Sequence, residues 1–279
     1  MNKTQIVTHL ASLMNEWVDS VSVTRQDVRQ AINRCTIAGG AIVSLLQDIS
    51  PNDYDVYTKT KEDCELLARY YVELFNWDNQ LEQDEYRKAT VVVEGDKVKV
   101  IQPAMDGATI KQDVSKFRPI FISPNAITLN GNVQLIFRFY GEPEKLVQEF
   151  DFEHCTGYFH RVSWENVVYK NELVLNEDML MSVLTKELKY RHGKYPVSSL
   201  LRLQKYIQRG YTIPTGELIK LALDISKLDL SDSQVFSDQL SGVDLQLSAD
   251  VLKAANNEFD KVQGQNLLDS VSNDGSLNV

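Results

Sequence analysis

Two aspartates, Asp53 and Asp55, stand one residue apart in the stretch GGAIVSLLQDISPNDYDVYT, behind the glycine pair Gly39 and Gly40. On an extended chain alternate residues face the same way, so both carboxylates share a face, with Tyr54 and Val56 on the other. Carboxylate oxygens are hard ligands suited to Mg²⁺ or Mn²⁺, ions that keep several waters and also take substrate phosphate oxygens. Two such ions hold the attacking and leaving oxygens of a phosphoryl displacement. The glycine pair suits close approach of backbone to phosphate, and a helix over 41–48 would aim its first amides at that anion. A second acidic stretch, QEFDFEHC, repeats the pattern if it is a strand: Glu149, Asp151 and Glu153 face one way, Phe150 and Phe152 the other. An alternation of acids is also how a solvated strand edge reads.

Other chemistries find less support. His154, Cys155 and His160 lack the second ligand pair that a zinc site needs. There is no G-x-x-x-x-G-K-[ST] loop, no G-x-S-x-G and no Cys-His nucleophile arrangement. The helix reading PVSSLLRLQKYIQRG places Ser198, Arg202, Lys205 and Arg209 on one face, and Leu200, Leu203 and Ile207 on another. That basic face is either a triphosphate or nucleic-acid contact or a solvated surface. The net charge of −10 and pI near 5.0 argue against a general nucleic-acid coat. Within it, residues 186–210 carry seven Lys or Arg against one Glu, a net of +6. Residues 224–279 carry ten acids against three Lys, a net of −7. One basic patch in an acidic chain suits a local anion site.

The elements that must position these residues follow from periodicity and turn chemistry. Ile6, Leu10, Leu13, Met14 and Trp17 mark a first helix, and Thr24 with Asp27 the capped start of a second. RCTIAGG is a short strand, DYDVYT a strand, and TKEDCELLARYYVELFNW a helix capped by Thr60. ATVVVEGDKVKVIQP turns at Gly95-Asp96, and AITLNGNVQLIFRFYG at Asn130-Gly131. VVYKNELVL is a further hairpin, and EDMLMSVLTKELKYR begins a helical part that includes a helix near 249–261. The expected architecture is α+β: a mixed-sheet domain over 1–175, helices over 176–262, and a frayed tail over 263–279. Three scattered cysteines, Cys35, Cys64 and Cys155, do not suggest a disulfide framework, and no stretch has the length of a membrane span or the form of a secretory signal. A cytoplasmic setting without membrane contact is the expectation.

The segment GGAIVSLLQDISPNDYDVY resembles the signature of the DNA polymerase beta-like nucleotidyltransferase superfamily, and its spacing is similar to that of CCA-adding enzymes and bacterial-type poly(A) polymerases. YPVSSLLRLQKYIQRGYTIPTGEL is similar to the neck helix of the same enzymes. VQLIFRFYGEPEKLVQEFDFEHCTGYF resembles uncharacterised nucleotidyltransferase-like proteins of bacteriophages, a likeness running over roughly 120–245. The resemblance implies Asp53, Asp55 and Asp151 as catalytic residues and metal ligands. It implies Gly39, Gly40 and Ser44 as a triphosphate cradle, with Arg202, Lys205 and Arg209 as further nucleotide contacts. CCA-adding enzymes carry arginines just before the Asp that Asp151 matches, where this chain has Glu149 and Phe150, so CCA addition is not implied. The expected activity is metal-dependent transfer of a nucleoside monophosphate from an NTP to a hydroxyl of RNA, protein or a small molecule, with release of pyrophosphate. The competing readings are a non-catalytic phage structural or binding protein on the same fold, and a toxin-neutralising partner that docks through its acidic C-terminal segment.

Overall fold

The structure, a computed structural model, describes residues 1–101, 115–164 and 167–240. It divides into two compact units: Met1–Gln148 with His154–Leu180, and Glu149–Glu153 with the chain from Met181 onward.

The first unit opens with α1 (Lys3–Ser20), α2 (Gln26–Asn33), β1 (Thr36–Ala38), α3 (Gly40–Leu46), β2 (Tyr54–Thr58) and α4 (Lys61–Asp78). A two-stranded ribbon of β3 (Thr90–Glu94) and β4 (Lys97–Ile101) follows, then β5 (Pro119–Ser123), β6 (Ala126–Leu129) and β7 (Val133–Tyr140). The short α5 (Pro143–Leu146), β8 (Tyr158–Trp164), β9 (Val167–Val174) and α6 (Glu177–Thr185) complete the run. Seven strands form one sheet in the order β5-β6-β7-β2-β1-β8-β9. Only β2 and β7 pair in parallel among them, so the sheet is mixed and the class α+β, as the sequence pattern requires. Among the described residues no helix is long and apolar enough to cross a membrane.

One face of this sheet carries the helical layer. Ile6, Leu10, Leu13, Met14 and Trp17 of α1 are buried at the spacing the sequence shows, behind a capping box of Asn2 and Gln5. Thr60 caps α4, its hydroxyl accepting from the Asp63 N–H at 3.1 Å. The start of α2 differs from expectation: Thr24 pairs with Ser22 at 2.9 Å, and the helix begins at Gln26 without a side-chain cap. The stretch VVYKNELV also differs. It is one strand, β9, because pairing along β8 satisfies more backbone groups than a turn at Lys170-Asn171 would. The expected helix near 249–261 and the tail after it lie outside the described residues.

Arg161, on β8, is 8% exposed and faces the helical layer. Its guanidinium donates to Asn33 Oδ1 (2.6 Å), Asn15 Oδ1 (2.6 Å) and the Ala11 carbonyl (2.9 Å), joining α1 and the end of α2 to the sheet through neutral acceptors. Burial lowers its pKa. Replacing it by Met removes the donor from the Asn15 and Asn33 side-chain oxygens and the second bond from the Ala11 carbonyl. We expect Arg161→Met to lose about 2–3 kcal/mol in urea unfolding, the range for hydrogen bonds to a charged group.

The second unit is built on Phe152, Leu188, Tyr190, Leu203, Tyr211 and Leu221, with α7 (Pro196–Gln208), α8 (Thr215–Ile225) and α9 (Ser233–Leu240) around them. QEFDFEHC is not a strand here. It forms short 3-10 turns at Val147–Glu149 and Glu153–Cys155, and between them Phe152 bridges to Tyr190. Arg191 N–H donates to the Asp151 carbonyl (2.8 Å) and Glu153 N–H to the Lys189 carbonyl (3.0 Å). The helix expected through Arg191 stops at Thr185, where Lys186 takes a left-handed φ of 56° and frees Leu188 and Tyr190 to join this core. Beyond α7, Gly210 at φ 83° ends the helix in a conformation that suits glycine.

Asp224, on α8, accepts from Lys227 (2.7 Å), His192 Nδ1 (2.7 Å) and the Tyr190 hydroxyl (3.2 Å). Lys227 first, with His192 and Tyr190 behind it, holds the carboxyl down to about 2 from 3.8. A depressed carboxyl stabilises the fold above its unfolded pKa, and that contribution fades as pH falls towards 2. Asp224→Asn should therefore be less stable than wild type at pH 5, with the difference closing between pH 4 and pH 2 in denaturant titrations.

Candidate functional site

Asp55 lies on β2 at the register where Ala38 of β1 is its partner on one side and Gln134 of β7 on the other. Residues so paired share a face. Asp53 precedes the strand and is exposed, while Asp55 is half-buried. Tyr54 between them points into the helical layer, where its hydroxyl meets His9 Nε2 of α1 at 2.7 Å. That contact fixes the alternation: with Tyr54 among the helices, Asp55 faces the opposite side of the sheet.

The same register brings in the glycine pair. Ala38 is the last residue of β1 and sits beside Asp55, so Gly39 and Gly40 leave the sheet at the end where the two aspartates enter it. Gly39 adopts φ 85° and ψ −141°, a region in which side chains are strained, and its N–H donates to the Gly157 carbonyl at 3.3 Å. Gly40 has ordinary helical geometry, and a Cβ built on it meets nothing within 4 Å. Among the described residues its glycine answers no packing demand. Ser44 lies two-thirds along α3, a seven-residue helix shorter than the sequence suggests, and is half-buried.

On the face that holds Asp55, the row continues through Ala38 to Tyr158 of β8. The Tyr158 hydroxyl donates to Glu144 Oε1 at 3.0 Å, and its ring meets His160 edge-on at 5.6 Å. His160 Nε2 is 3.9 Å from Glu172. Burial lowers the His160 pKa, against the pull of Glu144 and Glu172. Sequence reading did not find Gln134, Tyr158 or Glu144 as neighbours of this face. Their placement depends on pairings across dozens of residues, and no local periodicity carries that information.

The residues assigned from the second acidic stretch and the basic helix are in the second unit, and they find partners there. Asp151 is 7% exposed and its carboxylate accepts from Arg202 Nη1. Glu153 accepts from Arg191 at 2.9 Å. A buried carboxylate needs such a partner, and each arginine supplies one. The expected basic face of α7 is thereby divided. Ser198 is buried with its hydroxyl on the Gln239 carbonyl, Arg202 is ion-paired, and only Lys205 and Arg209 are exposed. On the expected apolar face Leu203 is buried, whereas Leu200 and Ile207 remain exposed. His154 and Cys155 contact each other at 3.2 Å, and all three cysteines are buried thiols outside any disulfide.

Asp53 and Asp55 offer hard oxygen donors at one end of the sheet, with the Gln134 amide beside Asp55. Among the described residues no group of three or more His, Cys, Asp or Glu is placed to hold a metal ion. Two carboxylates could hold an ion only if it took the rest of its coordination from water and phosphate oxygens, as Mg²⁺ can. Gly39→Ala should cost about 1–3 kcal/mol in unfolding experiments, the penalty of holding a side chain in a sparsely populated backbone region. Gly40→Ala, with open space around it, should leave stability unchanged or slightly higher.

Residues 9–186 match the family described as "Gad2: Gabija anti-defense 2 family protein". A protein named "Gabija anti-defense 2" from Bacillus phage SPbetaL7 is 28% identical over 215 residues, covering 76% of this chain and 42% of that protein. Less than half of that relative's length is thus represented here. Among solved structures, the Thermotoga maritima CCA-adding enzyme complexed with tRNA gives a TM-score of 0.42 at 11% identity, over 88% of this chain and 56% of the enzyme. A CCA-adding enzyme in complex with CTP gives 0.40 at 11% identity, over 96% and 70%.

Proposed function

The chain belongs to the Gabija anti-defense 2 family, and from that premise we propose that it counters Gabija defence as a metal-dependent nucleotidyltransferase. It moves a nucleoside monophosphate from an NTP to a hydroxyl of an acceptor, RNA, protein or small molecule, and releases pyrophosphate. The observation that carries this reading is the register of Ala38 with Asp55, which puts the glycine turn and the two aspartates at the same end of the sheet.

Asp53 and Asp55 hold the divalent ion against the triphosphate, and Gly39 and Gly40 let the backbone come close to the phosphates. The bound ion supplies neutralisation of charge on the transferring phosphoryl group. The acceptor oxygen forms a bond to the α-phosphorus while the bond to the bridging oxygen breaks, and the acceptor's proton passes to solvent. Positioning and charge neutralisation supply most of the rate in such transfers, so a strong base is not required. Ser44 adds a hydroxyl one turn into α3. Lys205 and Arg209 are the exposed cations of α7 that can meet a phosphate. Asp151 and Arg202 act first on each other.

A second reading is favoured by that last pair: a chain whose third carboxylate is committed to an arginine can serve as a binding protein that keeps the fold without the reaction. Two assays separate the readings. Label from α-³²P NTPs should pass into the RNA or protein fraction of a bacterial lysate with Mg²⁺ or Mn²⁺, and not with Asp53→Asn/Asp55→Asn. In cells carrying Gabija, wild type should restore phage plating and the same double variant should not. Full protection by the double variant, with no label transferred by wild type, would establish the binding protein instead.

A further inference from the structure

We propose that the cleft at the C-terminal end of α4 binds a planar nitrogenous base, carried by a mononucleotide or by the end of a short single strand. The cleft has a volume of about 820 Å³ and is walled by Tyr70, Trp77 and Asp78 of α4 and by Lys116, Phe117 and Arg118. That size falls within the roughly 300–1,000 Å³ of small-ligand sites. It shares no residue with the end of the sheet that holds Gly39, Gly40, Asp53 and Asp55.

Its walls have two components. The first is aromatic. Tyr70 and Trp77 are seven residues apart, so they lie on one face of α4 about 10 Å apart. Trp77 is 68% exposed at the cleft although tryptophan is mostly covered in folded chains. Unstacked bases are taken up on such rings and on arginine planes. The Arg118 guanidinium supplies such a plane. Its Nε donates to Asp78 Oδ2 at 2.9 Å and its Nη2 to Oδ1, a fork that fixes the plane and leaves Nη1 outside the pair.

The second component is polar. Asp78 offers acceptors and Gln80 both a donor and an acceptor, the groups that read the edge of a base. Lys116 stands 5.0 Å from the Phe117 ring centroid. The Lys116 ion pair with Glu16 is half-exposed on both sides, so a phosphate can replace it at small cost. Rings for a base beside an exchangeable cation for a phosphate describe a nucleotide. A long polyanion fits poorly, since Asp78 and Glu82 are in the walls and the chain carries a net charge of −10. An apolar peptide would strip water from the Arg118–Asp78 pair and from Glu82 and offer them no hydrogen bonds.

Equilibrium dialysis and tryptophan fluorescence in EDTA test the proposal on the full chain, using the four nucleoside 5′-monophosphates and tetranucleotides of each base. Saturable binding with fluorescence quenching is expected. The quenching should vanish in Trp77→Phe, and dialysis should show binding weakened about tenfold in Trp77→Ala, the loss of one stacking partner. Saturation by monophosphates alone assigns the site to free nucleotide, and tighter binding of tetranucleotides assigns it to a strand end. Inorganic phosphate at the same concentrations should not quench. Absence of saturable binding by any base, or binding unaffected by Trp77→Ala, would overturn the proposal, as would binding lost in Asp53→Asn/Asp55→Asn. Without divalent metal the outcome is independent of nucleotidyl transfer, so failure here leaves the catalytic reading standing.

Discussion

The sheet of the first unit is held together through β2. On one side of it lie β7, β6 and β5, on the other β1, β8 and β9, and among the described residues no other strand joins the two halves. The pairing is antiparallel to β1 and parallel to β7, so β2 runs between neighbours of opposite direction with both its edges satisfied. Because side chains alternate along it, one choice of register decides everything on both faces. Tyr54 goes to His9 and the helices, and Asp55 goes to the other side beside Gln134 and Ala38. A slip of one residue would send the aspartates into the helical layer, where a carboxylate without a partner is costly to bury. The packing that makes the sheet therefore also aims the acids.

Several arginines are used to tie distant segments together. Arg34 forks onto Asp63, Arg118 onto Asp78, Arg202 meets Asp151 and Arg191 meets Glu153, while Arg161 is held by amides and a carbonyl. Each links segments far apart in the chain, and each is planar enough to serve two acceptors at once. This use has a consequence for function. Two of the seven cations between 186 and 210, Arg191 and Arg202, neutralise buried acids, so the exposed cations are fewer than the composition suggests. An acidic molecule suits small anions held at defined places, and both proposed sites, the glycine turn near Asp55 and the cleft beside Trp77, would be of that kind.

Membership in an anti-defense family gives the proposed chemistry a setting, and the match over residues 9–186 takes in the glycine pair, both aspartates and the α4 cleft. A transfer site and a base-binding cleft in one unit would let the chain hold a nucleotide or strand end apart from the one it consumes. Glycines 39 and 40 show how finely such a site is divided between fold and ligand. The first is demanded by its own backbone angle, and the second by nothing among the described residues.

Much of the local structure was determined by the sequence alone. Apolar spacing specifies α1 and α4, Thr60 specifies where α4 begins, and Asn130-Gly131 places the turn between β6 and β7. These are short-range effects, decided by backbone angles and side-chain periodicity over a few residues. Tertiary structure decided the rest. QEFDFEHC alternates like a strand, yet its two inner acids are claimed by Arg191 and Arg202 and its Phe152 by an aromatic core, so it turns instead. The Thr24 cap gave way to a local bond with Ser22, and VVYKNELV lost its turn to the whole length of β8. Gln134 came beside Asp55 only through a parallel pairing across the intervening α4, ribbon and hairpin. Apart from the local Thr24–Ser22 bond, a buried charge or an unpaired backbone group outweighed local preference, and which partner satisfied it depended on residues far away in the chain.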